Sequence, residues 1–127
     1  MMPNQKSSRR SQGADGENYA ALILSNDGYS ILCRNYVFPG GEIDIIAAKQ
    51  EYICFIEVKT RSISSGENAA SAVNDVKLGR IKKAITYFFE EYKDNLYVSS
   101  LTPRIDIMEI YTSKGTAKKH NHITGIY

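Results

Sequence analysis

Four short stretches of the chain carry the signature of β-strands, and two longer ones carry that of helices. Tyr29–Phe38 is rich in β-formers, and Glu42–Ala48, Tyr52–Thr60 and Arg104–Tyr111 alternate or run apolar at strand length. A polar break at Lys49, Gln50 and Glu51 joins the second and third of these as a hairpin, and Pro39-Gly40-Gly41 is a turn ahead of them. From Asp15 to Asp27 the period is helical: Asp15 is the expected N-cap, Tyr19, Leu22, Ile23 and Asn26 share a face, and Gly28 stops the helix. A longer helix is expected over Ala72–Asp94, with Leu78, Ile81, Ala84, Ile85, Phe88 and Tyr92 as one apolar stripe. The order helix, three strands, long helix, then one or two strands predicts an α/β domain. Its mixed sheet of four or five strands is flanked by helices, with the long helix crossing over to a parallel strand.

Two acidic residues interrupt this pattern. Asp44 sits between Ile43 and Ile45, and Glu57 between Ile56 and Val58, where a strand would ordinarily place something apolar. A hairpin turning at Gln50–Glu51 sets Asp44 directly opposite Glu57, with Cβ atoms about 5 Å apart. Two carboxylates so placed repel by about 4 kcal/mol at ~4 Å and an effective dielectric of ~20. Either one acid holds a proton, a cation neutralises the pair, or the register differs. Lys59 shares a face with Phe55, Glu57 and Arg61 and supplies one positive charge. A hard divalent cation would supply the rest. An exposed charged hairpin with Lys59 bridging two acids is the plainer alternative.

The segments GEIDIIA and FIEVKTR, in that order and at that separation, resemble the YraN family of predicted nucleases. That family belongs to the PD-(D/E)XK superfamily and is similar to Holliday-junction resolvases. The superfamily pattern of an acid, a spacer and acid–x–Lys falls on Asp44, Glu57 and Lys59, with Ile43 in the place of the proline. The resemblance extends from about Gly16 to the C-terminus and implies a restriction-endonuclease-like core. It also implies that Glu17, in DGENYAA, completes the acidic cluster, although an acid in a helix's first turn suits the dipole without any such role. The family's Lys–x–x–Arg on the long helix is matched by Lys77 and Arg80, and its Arg–x–Asp by Arg104 and Asp106. Lys77, Arg80 and Lys83 are either a solvated face or a phosphate-contacting one. Arg104 and Asp106 read as a structural salt bridge, and His122, in NHITGIY, as a structural hydrogen-bonding residue.

Composition adds limits. The 127 residues suit one domain over 13–127, preceded by a disordered basic arm over 1–12 that carries Lys6, Arg9 and Arg10. Hydrophobic content of 43% and charged content of 24% are those of an ordinary globular chain. No apolar run approaches the ~20 residues of a membrane helix, and no signal core opens the chain, so a cytoplasmic protein without membrane contact is expected. A net charge of +2 is too mild to argue for nucleic acid unaided. Cys33 and Cys54 lack metal or disulfide spacing and read as buried thiols. The loop SISSGENAAS, 62–71, is expected to border the site.

The reading that follows is metal-dependent hydrolysis of phosphodiester bonds in DNA, selective for branched or junction structure. Asp44 and Glu57, with the Val58 carbonyl, hold Mg2+ or Mn2+, and Glu17 helps through water or by orienting the ion. Lys59 positions water or stabilises charge. Arg61, Lys77 and Arg80 hold the DNA backbone. Two-site cutting by junction resolvases makes a homodimer an expectation. The alternatives are a nucleic-acid-binding module of the same fold with little or no catalysis, and a protein-interaction domain with a vestigial pocket.

Overall fold

The computed structural model describes residues 11–63 and 78–127. The basic residues of the N-terminal arm through Arg10, most of the 62–71 loop, the expected start of the long helix and Lys77 lie outside the described residues. Helix α1 spans Ser11–Asn26, and strands β1 (Ser30–Phe38), β2 (Gly41–Lys49) and β3 (Tyr52–Ser62) follow. Helix α2 (Leu78–Glu91) and a short helix α3 (Leu96–Ser99) lead to β4 (Thr102–Ser113) and β5 (Thr116–Ile123). The strands form one five-stranded sheet in the order β1-β2-β3-β4-β5, antiparallel except where β3 and β4 run parallel. This is the expected mixed α/β sheet flanked by helices. Among the described residues no helix is long and apolar enough to cross a membrane.

Each helix covers one face. Ile81, Ala84 and Phe88 of α2 are buried against Ile43, Ile46, Ile53, Phe55 and Ile105, so the expected stripe is the one that packs. On the other face Ala20 and Leu24 of α1 meet Ile45, Ala47, Cys54, Ile56, Met108 and Ile110. Both thiols are buried and unpaired, and burial, the leading cause in each case, pushes them up to about 11 (Cys33) and about 12 (Cys54).

Helix α1 corrects the sequence reading twice. It is already formed at Ser11, so Asp15 is not its N-cap and Glu17 lies beyond the first turn, out of reach of a dipole explanation. Its inner face is Gly16, Glu17, Ala20 and Leu24, while Leu22 is 58% exposed. Gly16 explains the rotation. A Cβ there would collide with Thr60 Oγ1, so the helix lies on β3 along its smallest residue.

The far side of the sheet is held by Asp106. Its buried carboxylate accepts from Arg104 Nε and Nη2 at 2.9 and 2.8 Å and from Gly125 N at 3.0 Å, and lies 2.8 Å from His122 Nε2. Arg104 also donates to Tyr29 Oη at 2.7 Å, which ties β4 to the start of β1. The pair Arg104–Asp106 and His122 are therefore structural. Burial alone would raise the Asp106 pKa, but the hydrogen bonds from His122, Arg104 and Gly125 outweigh it and hold the value below the ordinary carboxylate range. A depressed folded pKa contributes stability that is present above the unfolded value near 4 and is lost as the pH falls through the lower one. Asp106→Ala should cost about 3–5 kcal/mol in urea unfolding at neutral pH, because it strands a largely buried guanidinium. A loss under about 1 kcal/mol would mean that the network is incidental.

Candidate active site at the fork of the sheet

The β2–β3 hairpin has the expected register, from Lys49↔Tyr52 through Ile45↔Ile56. There the pairing ends. The earlier part of β2 stays with β1 through Tyr36↔Ile43 and Phe38↔Gly41, while β3 continues beside β4 from Glu57↔Ile107 to Ser62↔Thr112. The sheet forks at the level of Asp44 and Glu57. A strand leaving its neighbour frees backbone donors that must find partners. Asp44 Oδ2 accepts the Val58 N–H at 2.8 Å and so closes the crotch of the fork with a side chain.

Alternation also breaks here, on two strands at once. Cys33 and Tyr36 on β1 both pack under α2, and so do their partners Ile46 and Ile43 on β2. A strict period of two would put only one of each pair there. Asn35 absorbs the extra step with φ 54°, a left-handed conformation that asparagine tolerates best among residues other than glycine. Its buried amide donates to Glu17 Oε1 at 3.1 Å and holds that carboxylate, only 6% exposed, against the sheet. In the sequence Asn35 is no more than a polar interruption of β1. The one signal was an asparagine within a run of β-formers.

Charge is unbalanced across the fork. Burial, the nearby Glu57 carboxylate and a hydrogen bond with Glu17 push the Asp44 pKa to about 8, although the Val58 N–H pulls it down. Glu57 has Arg80 Nη2 at 3.1 Å and Lys59 Nζ at 3.8 Å, both on Oε2, while its buried Oε1 has no hydrogen-bond partner among the described residues. Gly41 makes room for the arginine, since a Cβ there would lie 2.9 Å from Arg80 Cδ.

Glu17, Asp44, Glu57, Val58, Lys59 and Arg80 are thus gathered at the fork. Arg80 arrives as the partner of Glu57, with a side chain still 29% exposed. Arg61 is 8% exposed and is held within the domain instead of being displayed to a phosphate backbone. Among the described residues no three acidic, histidine or cysteine side chains already converge on a common ligand position. The donors nonetheless fit a magnesium-like ion, which takes one or two carboxylates and keeps several waters. Glu57 Oε1, without a hydrogen-bond partner among the described residues, and Asp44, with its pKa raised, are the oxygens that such an ion would satisfy.

The raised Asp44 value carries a sign. A folded pKa of about 8, above an unfolded one near 4, stabilises the fold fully below about pH 4 and progressively less up to about pH 8. Asp44→Asn cannot ionise, so in metal-free buffer its unfolding free energy relative to wild type should climb across that window, by at most ~1.4 kcal/mol per pH unit. A difference independent of pH in denaturant titrations would refute the assignment.

The sequence model of the uncharacterised protein family UPF0102 matches residues 16–110. A UPF0102 protein of Carboxydothermus hydrogenoformans is 40% identical over 102 residues, which is 80% of this chain and 83% of that one. One from Clostridium perfringens is 42% identical over 106 residues, 83% of each chain. One from Caldanaerobacter subterraneus is 35% identical over 125 residues, covering 97% of this chain and 99% of its own.

Proposed function

This chain belongs to the UPF0102 family, and we propose that it is a metal-dependent endonuclease that hydrolyses phosphodiester bonds in DNA, selecting branched or junction structure. The observation that supports this most is the fork. There two carboxylates, one of them with a buried oxygen that has no hydrogen-bond partner among the described residues, meet a lysine and a second-helix arginine where the sheet opens.

Asp44 and Glu57, with the Val58 carbonyl, would hold Mg2+ or Mn2+. Such an ion, when bound, lowers the pKa of a coordinated water and draws charge from the phosphoryl oxygens. The protein's own groups do the rest. Asn35 fixes Glu17, and Glu17 in turn orients Asp44 through their hydrogen bond. The Val58 N–H keeps one Asp44 oxygen in place. Lys59 keeps its ammonium beside Glu57, where it can align the attacking water or meet the negative charge that builds on the phosphate. Arg80 shields Glu57 and is exposed enough to meet a backbone phosphate, and the same contact is assigned to Lys77 from the sequence alone. Phosphate contacts carry no sequence information, which favours recognition by shape.

A cleavage panel of branched, flapped and linear DNA with magnesium or manganese tests the reading. Wild type should cut branched DNA fastest, and Asp44→Ala or Lys59→Ala should slow it at least ~100-fold while leaving the fold intact by circular dichroism. Salt-sensitive binding without any cutting would replace the enzyme with a nucleic-acid-binding module of the same fold.

A further inference from the structure

A cleft of about 900 Å³ opens on the α1 side of the sheet, between the start of that helix and the ends of β3, β4 and β5. It lies beside the fork without sharing its acids. Gly16 in its wall precedes Glu17, and Thr60 follows Lys59. Thr60 lies three residues along β3 from Glu57, about 10 Å of strand. The remaining walls include Asp15, Tyr19, Thr112, Lys114 and Thr116. Volumes of this order are those of pockets that enclose a small organic ligand, not a duplex.

The lining suits a nucleotide. Hydroxyls from Thr60 and Thr116 can serve sugar and phosphate oxygens, that of Thr112 already donating to the Arg61 carbonyl at 3.4 Å, and Tyr19, half-buried against the core, offers a ring for a base. Lys114 and Gly115 form the two-residue turn between β4 and β5, both with positive φ (52° and 79°). That is the tight hairpin turn whose twist matches its strands, so the ammonium is carried on a stiff tip. One lysine against one aspartate leaves the cleft near neutral, which favours an internal phosphodiester over a terminal phosphate. A ring to stack on beside a cation for the backbone is the combination that sites for unpaired strands use.

The geometry points to this cleft as the seat of an unpaired nucleotide next to the bond that is cut, so that the substrate presents a single-stranded segment at the fork. This rests on the nuclease reading and sharpens its substrate to flaps, gaps or junctions with an unpaired position.

Binding of a labelled single-stranded oligothymidylate, measured by fluorescence anisotropy with calcium as the ion, separates the two claims. Tyr19→Ala and Lys114→Glu should each weaken binding about tenfold, the factor expected from losing one stacked base or one phosphate contact. Tyr19→Phe, which keeps the ring, and Lys93→Glu, on the turn after α2, should stay within about twofold. Amide shifts in the bound state should include Thr60 and Thr116. Unchanged affinity in both lining variants, shifts confined to the fork, or no binding by wild type would each overturn the cleft assignment. If wild type cuts linear duplex while these variants bind as it does, the nuclease stands and the cleft falls. If Asp44→Ala still cuts while Tyr19→Ala and Lys114→Glu bind about tenfold more weakly, the fork assignment falls and the cleft stands only as a site for single strands.

Discussion

The hydrogen bond from the Val58 amide to the Asp44 carboxylate is the constraint from which the rest of the candidate site follows. A sheet can split between two strands only if the backbone groups exposed at the split are satisfied, since a buried unpaired amide costs about 1–3 kcal/mol. Here a carboxyl side chain does what a neighbouring strand would have done. The acid is thereby held at the crotch of the fork, near enough to Glu57 and Glu17 for both to act on its charge. Repulsion among these groups is then a by-product of how the fork is closed. Arg80 and Lys59 relieve it for only one oxygen of Glu57.

Asp106 shows the opposite solution in the same sheet. Its carboxylate is wholly buried but is surrounded by donors on both oxygens, and its pKa is held down. Asp44 has one amide, two acidic neighbours and a pKa pushed up. The first arrangement is complete as it stands, as expected of a residue that only has to tie β4 to β5 and the C-terminal segment. The second is balanced only by a proton or by an added cation. Burial acts the same way on both, so the difference lies in what surrounds them.

Much of this was legible in the letters. The hairpin register followed from a polar break between two apolar runs and holds from Lys49↔Tyr52 to Ile45↔Ile56, one step short of the expected Asp44–Glu57 pair. The stripe on α2 was plain because its apolar residues keep a strict three-and-four spacing. Helix α1 was harder. In YAALIL nearly every position is apolar, so periodicity could not choose a face, and the close contact of Gly16 with Thr60 chose it instead. The role of Asn35 was illegible because it depends on a backbone conformation and on a partner eighteen residues away. Arg61 was read as displayed because its strand neighbours of the same parity, Glu57 and Lys59, reach the fork, yet it lies buried.

The doubled step in β1 and β2 has a consequence for how this region can change. Because both strands skip phase at the same level, the two offsets cancel, and Tyr36 and Ile43 lie beside each other under α2 just as Cys33 and Ile46 do. Removing one residue from either strand alone would leave its partner out of phase, and every side chain outward to the turn at Pro39–Gly40 would face the wrong helix. Asn35 and Asp44 are therefore locked as a pair by geometry, whatever chemistry they serve, and length changes at the notch can be accommodated only when both ribbons shift together.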